Sequence, residues 1–177
     1  MALRGLPAKR AAAGVDFTRF YEDQLAGVVA LLYSLTGSWP VAEDLAQEAF
    51  LRAFRSWDGV RGLDRPDLWV RTVAVNLSAS RFRRMAAETR ALGRLLARRA
   101  PVSEELPEDD ERFWAAVRRL PPRQAHAIAL RYADDRSVAQ IAEVMGCAEG
   151  TVKAHLSQGR AALTRLLGLS VEEEPRA

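Results

Sequence analysis

Apolar side chains recur at steps of three and four along nearly the whole chain, and nowhere do they alternate with polar ones over the length of a strand. Steps of three and four make a stripe on one side of an α-helix, whereas a half-buried strand needs a period of two. The chain is therefore expected to be all-α. A first helix is expected from about Asp16 to Ser34, with Phe17, Phe20, Tyr21, Gln24, Val28, Leu31 and Leu32 in register. A second, with Pro40 in its first turn, is expected to run to about Trp57 on the stripe Val41, Leu45, Ala49, Ala53 and Trp57. Asp58 to Arg65 reads as a loop, because Gly59 and Gly62 break the pattern. Pro66 opens a third long helix, reaching Met85 or beyond, with Trp69, Val73 and Leu77 facing inward and arginines crowding its far end. The stripes that carry Trp57 and Trp69 make both core residues rather than surfaces for stacking.

Residues 100–110 break the periodicity with two prolines, many acids and few large apolar groups. With 177 residues, the chain has room for two small cores separated there. The expected organisation is a tail at 1–15, a helical unit at 16–95, a flexible linker at 96–110, a second helical unit at 111–168 and a tail at 169–177. Helices in the second unit are expected near 110–120, 122–132, 137–145 and 149–166, with Pro121 and Pro122 parting the first two.

The most specific local signal is a helix-turn-helix in the second unit. Ser137 and Gln140 can form a capping box at the start of a helix, and Gly146 can end it in the left-handed conformation. The next helix turns Val152, Leu156 and Leu163 inward and shows Thr151, Lys153, His155, Gln158 and Arg160 outward. A polar helix face of this kind fits the major groove and can read base edges there, with Lys153 and Arg160 neutralising phosphates.

Charge supports a polyanionic partner. The net charge is only +3, but residues 51–100 hold twelve basic against four acidic side chains, and 118–165 hold eight against four. Between them, residues 101–117 hold one basic against six acidic. Basic blocks on folded units suit nucleic acid. An enzyme is not expected: there are two histidines and one cysteine, Cys147, with no metal-ligand cluster and no glycine-rich phosphate loop. No cofactor, metal or small-molecule substrate is expected. One cysteine excludes an intramolecular disulfide, and Cys147 reads as a small packing residue. No apolar run approaches the roughly 20 residues that cross a bilayer. No stable membrane insertion is expected, and the location is expected to be cytoplasmic.

Three segments of the second unit together resemble region 4 of the extracytoplasmic-function (ECF) sigma factors: 120–132 (LPPRQAHAIALRY), 138–146 (VAQIAEVMG) and 150–163 (GTVKAHLSQGRAAL). Independently, 42–53 (AEDLAQEAFLRA) resembles their region 2.2, and 66–77 (PDLWVRTVAVNL), with the arginines after it, their regions 2.3 and 2.4. The resemblance implies a subunit that binds core RNA polymerase, recognises promoter DNA and helps to open it. It implies that Asp44, Gln47 and Glu48 dock on the polymerase clamp helices. Arg61 to Arg65 would form the loop that captures a flipped minus-ten base, and Arg71, Asn76, Arg81 and Arg83 would contact that element and its backbone. Thr151, Lys153, His155, Gln158 and Arg160 would read the minus-thirty-five element. An anti-sigma factor is a further partner that the family implies.

The chain departs from the family in three places. Ala148 stands where a capping Ser or Thr is usual, which forgoes about 1 kcal/mol of helix stabilisation. His155 and Gln158 stand where arginine is common, so phosphate attraction should be weaker. His155 after Thr151 and Lys153 is also similar to LuxR-type regulators, and a helix-turn-helix regulator of duplex DNA is the alternative reading.

Overall fold

The computed structural model describes residues 16–91 and 108–168, and all regular structure among them is helical. The helices are α1 (Phe17–Thr36), α2 (Trp39–Arg55), α3 (Trp57–Val60), α4 (Pro66–Ala91), α5 (Glu108–Val117), α6 (Pro122–Tyr132), α7 (Val138–Met145) and α8 (Glu149–Leu167). The tail expected at 1–15, residues 96–107 of the expected linker and the tail at 169–177 lie outside the described residues. Positions 108–110, expected as the end of the linker, instead form the start of α5.

Local chemistry sets the boundaries of the first unit. The Asp16 carboxylate accepts from the Thr18 N–H at 3.4 Å, and Gly37, at φ +67°, donates its N–H to the Tyr33 carbonyl at 2.7 Å. That left-handed backbone carries little strain only in glycine. α2 ends at Arg55 rather than Trp57, and Trp57 opens α3, a single turn that runs to Val60 and so takes up the start of the segment expected as a loop.

α1, α2 and α4 pack around Phe20, Val28, Leu32, Phe50, Val70 and Ala74. The buried stripe of α2 is Ala42, Ala46, Ala49, Phe50 and Ala53. Val41, Leu45 and Trp57, expected at its centre, are only half-buried. Alanines win these positions because they let α2 lie close to its neighbours, and the longer side chains then fill the flanks. Trp57 meets Phe17 edge-on with centroids 5.2 Å apart, and Trp69 packs on the same cluster, so both tryptophans do serve the core.

The second unit, α5 to α8, closes around Val117, Leu120, Ile128, Leu130, Ile141, Val152 and Leu156. That cluster also takes in Leu31 and Leu35 of α1 and Leu68 and Val75 of α4. The two units thus share apolar packing. α4 is the element between them: Val70 and Ala74 face α1 and α2, while Leu68 and Val75 face the second unit.

α6 and α8 cross at Gly159, where an added methyl would stand 2.9 Å from Cγ1 of the fully buried Ile128. Gly150, on the same helix, has open space around it. Replacing a helical glycine by alanine gains up to about 1 kcal/mol, whereas overpacking a tight core costs about 1–3 kcal/mol. Thermal unfolding should therefore show opposite signs, with Gly159→Ala lowering the melting temperature and Gly150→Ala leaving it unchanged or higher.

Candidate nucleic-acid interface

Both ends of α7 are tied to their caps. The Gln140 N–H donates to Ser137 Oγ at 3.2 Å and the Ser137 N–H to Gln140 Oε1 at 2.9 Å, completing the capping box. Gly146, at φ +62°, ends the helix, and the Cys147 N–H reaches back to the Ala142 carbonyl at 3.0 Å. The turn so fixed sets the direction of α8. Val152, Leu156, Gly159 and Leu163 are its buried side.

The outer side of α8 is open. Thr151, Lys153, Gln158 and Arg160 are exposed, and Lys153 has no ion-pair partner among the described residues. Arg160 Nε bonds only its own helix, at the Leu156 carbonyl 3.3 Å away, so its charge stays on the surface. Gln158 Oε1 accepts from Gln124 Nε2 of α6 at 3.2 Å. His155 is the exception on this face. It is half-buried, and its enclosed Nδ1 has no hydrogen-bond partner. As the sequence implied, no side chain caps α8 at Ala148.

The candidates in the first unit separate into three groups. On α2, Asp44 and Gln47 are exposed, and Glu48 accepts from Arg52 Nε at 2.7 Å. Beside Gln47 lies a shallow groove of about 230 Å³ lined by Phe17, Tyr21, Phe50, Leu51 and Phe54. Leu51 and Phe54 are 41% and 60% exposed, which makes them the apolar part of this face. The sequence reading did not single them out. Their place one and two turns from Gln47 and Glu48, off the buried stripe, was the available signal.

At the α3–α4 corner, Arg61 is exposed and pairs with Asp58 at 2.7 Å. Arg65 holds Asp67 with two bonds of 3.1 Å. Burial pushes the Asp67 carboxyl up, but the Arg65 hydrogen bonds and the charges of Arg65, Arg136 and Arg71 outweigh it and hold the group below its usual range. The Arg65 guanidinium is raised in turn, first by its bond to Asp67, with the field of Glu143 adding.

Along α4, Asn76 and Arg83 are exposed, Arg81 is half-buried, and Arg83 donates to Ser80 Oγ at 3.0 Å. Arg71 is placed differently from what the resemblance implied. It is 2% exposed and gives two bonds to Asp134 of the second unit, one through Nε and one through Nη2 at 2.9 Å. Its Nη1 serves Gln24 at 2.8 Å and the Asp67 carbonyl at 3.0 Å. A guanidinium with four bonds inside the protein has no free face for DNA in this arrangement.

Asn76 and Arg83 form one wall of a cleft of about 260 Å³, and Arg123, His126 and Glu143 of the second unit form the other. Burial, with Arg123 nearby, pushes the His126 imidazole down to about 4. Among the described residues no group of His, Cys, Asp and Glu could hold a metal ion, and no helix is long and apolar enough to cross a membrane.

Comparison with known proteins agrees with this layout. Residues 20–88 match the family described as Sigma-70 region 2, and residues 110–163 match Sigma-70, region 4. The chain is 30% identical over 169 residues to the ECF RNA polymerase sigma factor SigW of Bacillus subtilis, covering 88% of this chain and 89% of that one. It is 30% identical over 158 residues to the ECF RNA polymerase sigma factor EcfG of Rhodopseudomonas palustris, covering 86% and 87%. In three dimensions it is similar to the sigma factor RpoE of Bartonella quintana, solved with the anti-sigma factor NepR. The TM-score is 0.73 at 27% identity, over 87% of this chain and 98% of that one. Two helical units bearing regions 2 and 4 define a non-catalytic RNA polymerase subunit of the sigma-70 class. The chain belongs to the ECF RNA polymerase sigma factors, which act in transcription initiation. With region 2 filling the first unit, the LuxR-like alternative falls away.

The depressed His126 gives a test of the fold that holds the recognition helix. The unfolded chain takes up a proton near pH 6.5 and the folded chain only near pH 4. Stability is thus full above pH 6.5 and is lost as pH falls towards 4, by roughly 2 kcal/mol between pH 7 and 5. Denaturant unfolding at those two pH values should show this loss in the wild type and a clearly smaller one in His126→Leu.

Proposed function

We propose that this sigma factor docks on the clamp helices of core polymerase through the α2 face and reads its promoter with α4 and α8. In the docking face, Asp44, Gln47 and Glu48 offer acceptors to arginines, and Leu51 and Phe54 offer apolar contact beside them. In the minus-ten element, Arg61 and Arg65 hold the opened strand, and Asn76, Arg81 and Arg83 contact bases and backbone. Opening the duplex costs a few kcal/mol per base, which such contacts to the released strand offset. In the minus-thirty-five element, α8 enters the major groove. Thr151, Gln158 and His155 face base edges there, and Lys153 and Arg160 face phosphates. The observation that carries the reading is the exposed polar side of α8, with the unpaired Lys153, on a helix oriented by the capped turn before it. The anti-sigma partner of the Bartonella relative supports a similar protein partner for this chain, acting in the cytoplasm.

Transcription by purified core RNA polymerase on a genomic promoter library, with and without this protein, tests the reading. New start sites sharing two upstream elements are the expected result. No new start site, together with no binding to core enzyme, would overturn it.

Two substitutions divide the parts. Asp44→Arg should reduce binding to core enzyme at least tenfold in a pull-down or titration, with an unchanged melting curve, because the site is exposed. Lys153→Ala should weaken holoenzyme binding to all promoters about equally. It should also reduce the slope of log affinity against log salt by about one, as expected for the loss of one phosphate contact.

A further inference from the structure

The side chains that the proposed function assigns to the major groove differ in how far their hydrogen-bonding sense is fixed. Lys153 and Arg160 can only donate, and the Thr151 hydroxyl can turn to do either. His155 keeps its Nδ1 enclosed. Gln158 could act in either sense, because its amide carries an acceptor and a donor on the same carbon. Which of the two faces the bases decides what Gln158 can read, and a residue of another helix makes that choice.

Gln158 Oε1 accepts from Gln124 Nε2 of α6 at 3.2 Å. Oε1 and Nε2 diverge from one carbon, so an oxygen held towards α6 turns the N–H₂ away from it, to the exposed side of α8. The backbone places Gln124 for this role. It lies in the first turn of α6, where its N–H donates to the Pro121 carbonyl at 2.9 Å. Its neighbour Arg123 ties that turn to the end of α7 through the Met145 carbonyl at 3.0 Å. α6 and α8 can cross closely because Gly159 has no side chain: a methyl there would stand 2.9 Å from Ile128 Cγ1 and 3.7 Å from Gln124 Cβ. Gly159 follows Gln158 directly, so the same close approach brings the two amides within reach of each other.

The sense of the bond suits a DNA partner. Duplex DNA carries about one negative charge per 1.7 Å of its axis, which draws an outward N–H₂ and repels an outward oxygen. A glutamine free to use both ends of its amide pairs with adenine, accepting from N6 and donating to N7. With its oxygen occupied, Gln158 cannot accept from N6. Guanine instead presents two acceptors, O6 and N7, on the same edge, and both match a donor. Seating α8 in the groove displaces water, and an amide oxygen left without a partner there is costly, so the bond to Gln124 matters most in the complex.

We infer that Gln124 is a positioning residue for promoter specificity. By holding the Gln158 oxygen towards α6 it presents Gln158 as a donor, and so selects guanine over adenine at one position of the minus-thirty-five element. Gln124 acts through Gln158 rather than on a base. The inference rests on α8 being the minus-thirty-five reader.

The test uses holoenzyme assembled from core RNA polymerase and the full chain, binding a promoter library randomised across the minus-thirty-five element. Preferences are read as ratios within the library, so a change that weakens binding to every sequence cancels. Gln158→Ala should flatten the preference at one position, which identifies the base pair that Gln158 reads. There the wild type should favour guanine over adenine by about fivefold or more, the low end of what one matched pairing discriminates. Gln124→Leu frees the Gln158 amide to use both ends, and the ratio should fall to one or below. Gln124→Glu is the sharper variant, since a carboxylate only accepts. It obliges Gln158 to donate towards α6 and turns its oxygen outward, so adenine should be favoured over guanine at that position alone. Either variant combined with Gln158→Ala should keep the flat profile of Gln158→Ala. A wild type that favours adenine there would overturn the inference. So would a Gln124→Glu holoenzyme with the wild-type ratio, because the wild-type bond would then already run from Gln158 to Gln124. Gln124 variants that weaken binding to all sequences alike, with unchanged ratios, would make Gln124 a packing residue and would overturn it too. A wild-type holoenzyme that selects a minus-thirty-five element which Gln158→Ala leaves unchanged would sink the inference while the promoter reading stands. Failure of the promoter reading shows separately, as no selected minus-thirty-five element in the wild type, and the inference falls with it.

Discussion

The Arg71 guanidinium is a fixed positive charge taken almost wholly out of water, and the arrangement of the molecule depends on how that charge is satisfied. An isolated buried ion of this kind is not tolerated, and arginine cannot escape by losing its proton. Gln24 of α1 and the Asp67 carbonyl of α4 satisfy one nitrogen, but the compensating charge comes from Asp134, 63 positions along the chain. Region 4 thereby becomes part of the electrostatic environment of region 2. Once Asp134 is seated, Arg136 reaches Asp67 and the α7 end of the helix-turn-helix comes down on α4. The apolar contacts of Leu68 and Val75 follow from the same approach.

That dependence explains which parts of the structure could be read in the sequence. The ends of α1 and α7 were legible because their determinants lie within a few residues: Asp16, Gly37, the Ser137–Gln140 pair and Gly146 each act on backbone groups of their own helix. The buried side of α8 was legible because Val152, Leu156 and Leu163 are large and regularly spaced. The buried side of α2 was misplaced by about one position because alanine carries little hydrophobic weight, and close helix approach at Ala42 and Ala46 favours small size instead. The second buried side of α4, with Leu68, Arg71 and Val75 at steps of three and four, was present in the sequence. The arginine among them made the stripe look solvated. Whether an arginine on a helix faces solvent or a partner depends on where an acid elsewhere in the fold is placed, and no local pattern carries that information.

The candidate interfaces divide along the same line. The polar side of α8 could be recognised because it is defined against the buried side of its own helix. Leu51 and Phe54 were not recognised as part of the α2 face, since an exposed apolar residue is ordinary by itself. They acquire meaning only beside Tyr21 and Phe17, which α1 brings to the same groove. The departures from the family lie on α8 and at its start. Ala148 leaves the start of α8 without a side-chain cap, and His155 turns partly inward where arginine is common. Such changes leave intact the packing that presents the helix, whose buried side is Val152, Leu156, Gly159 and Leu163.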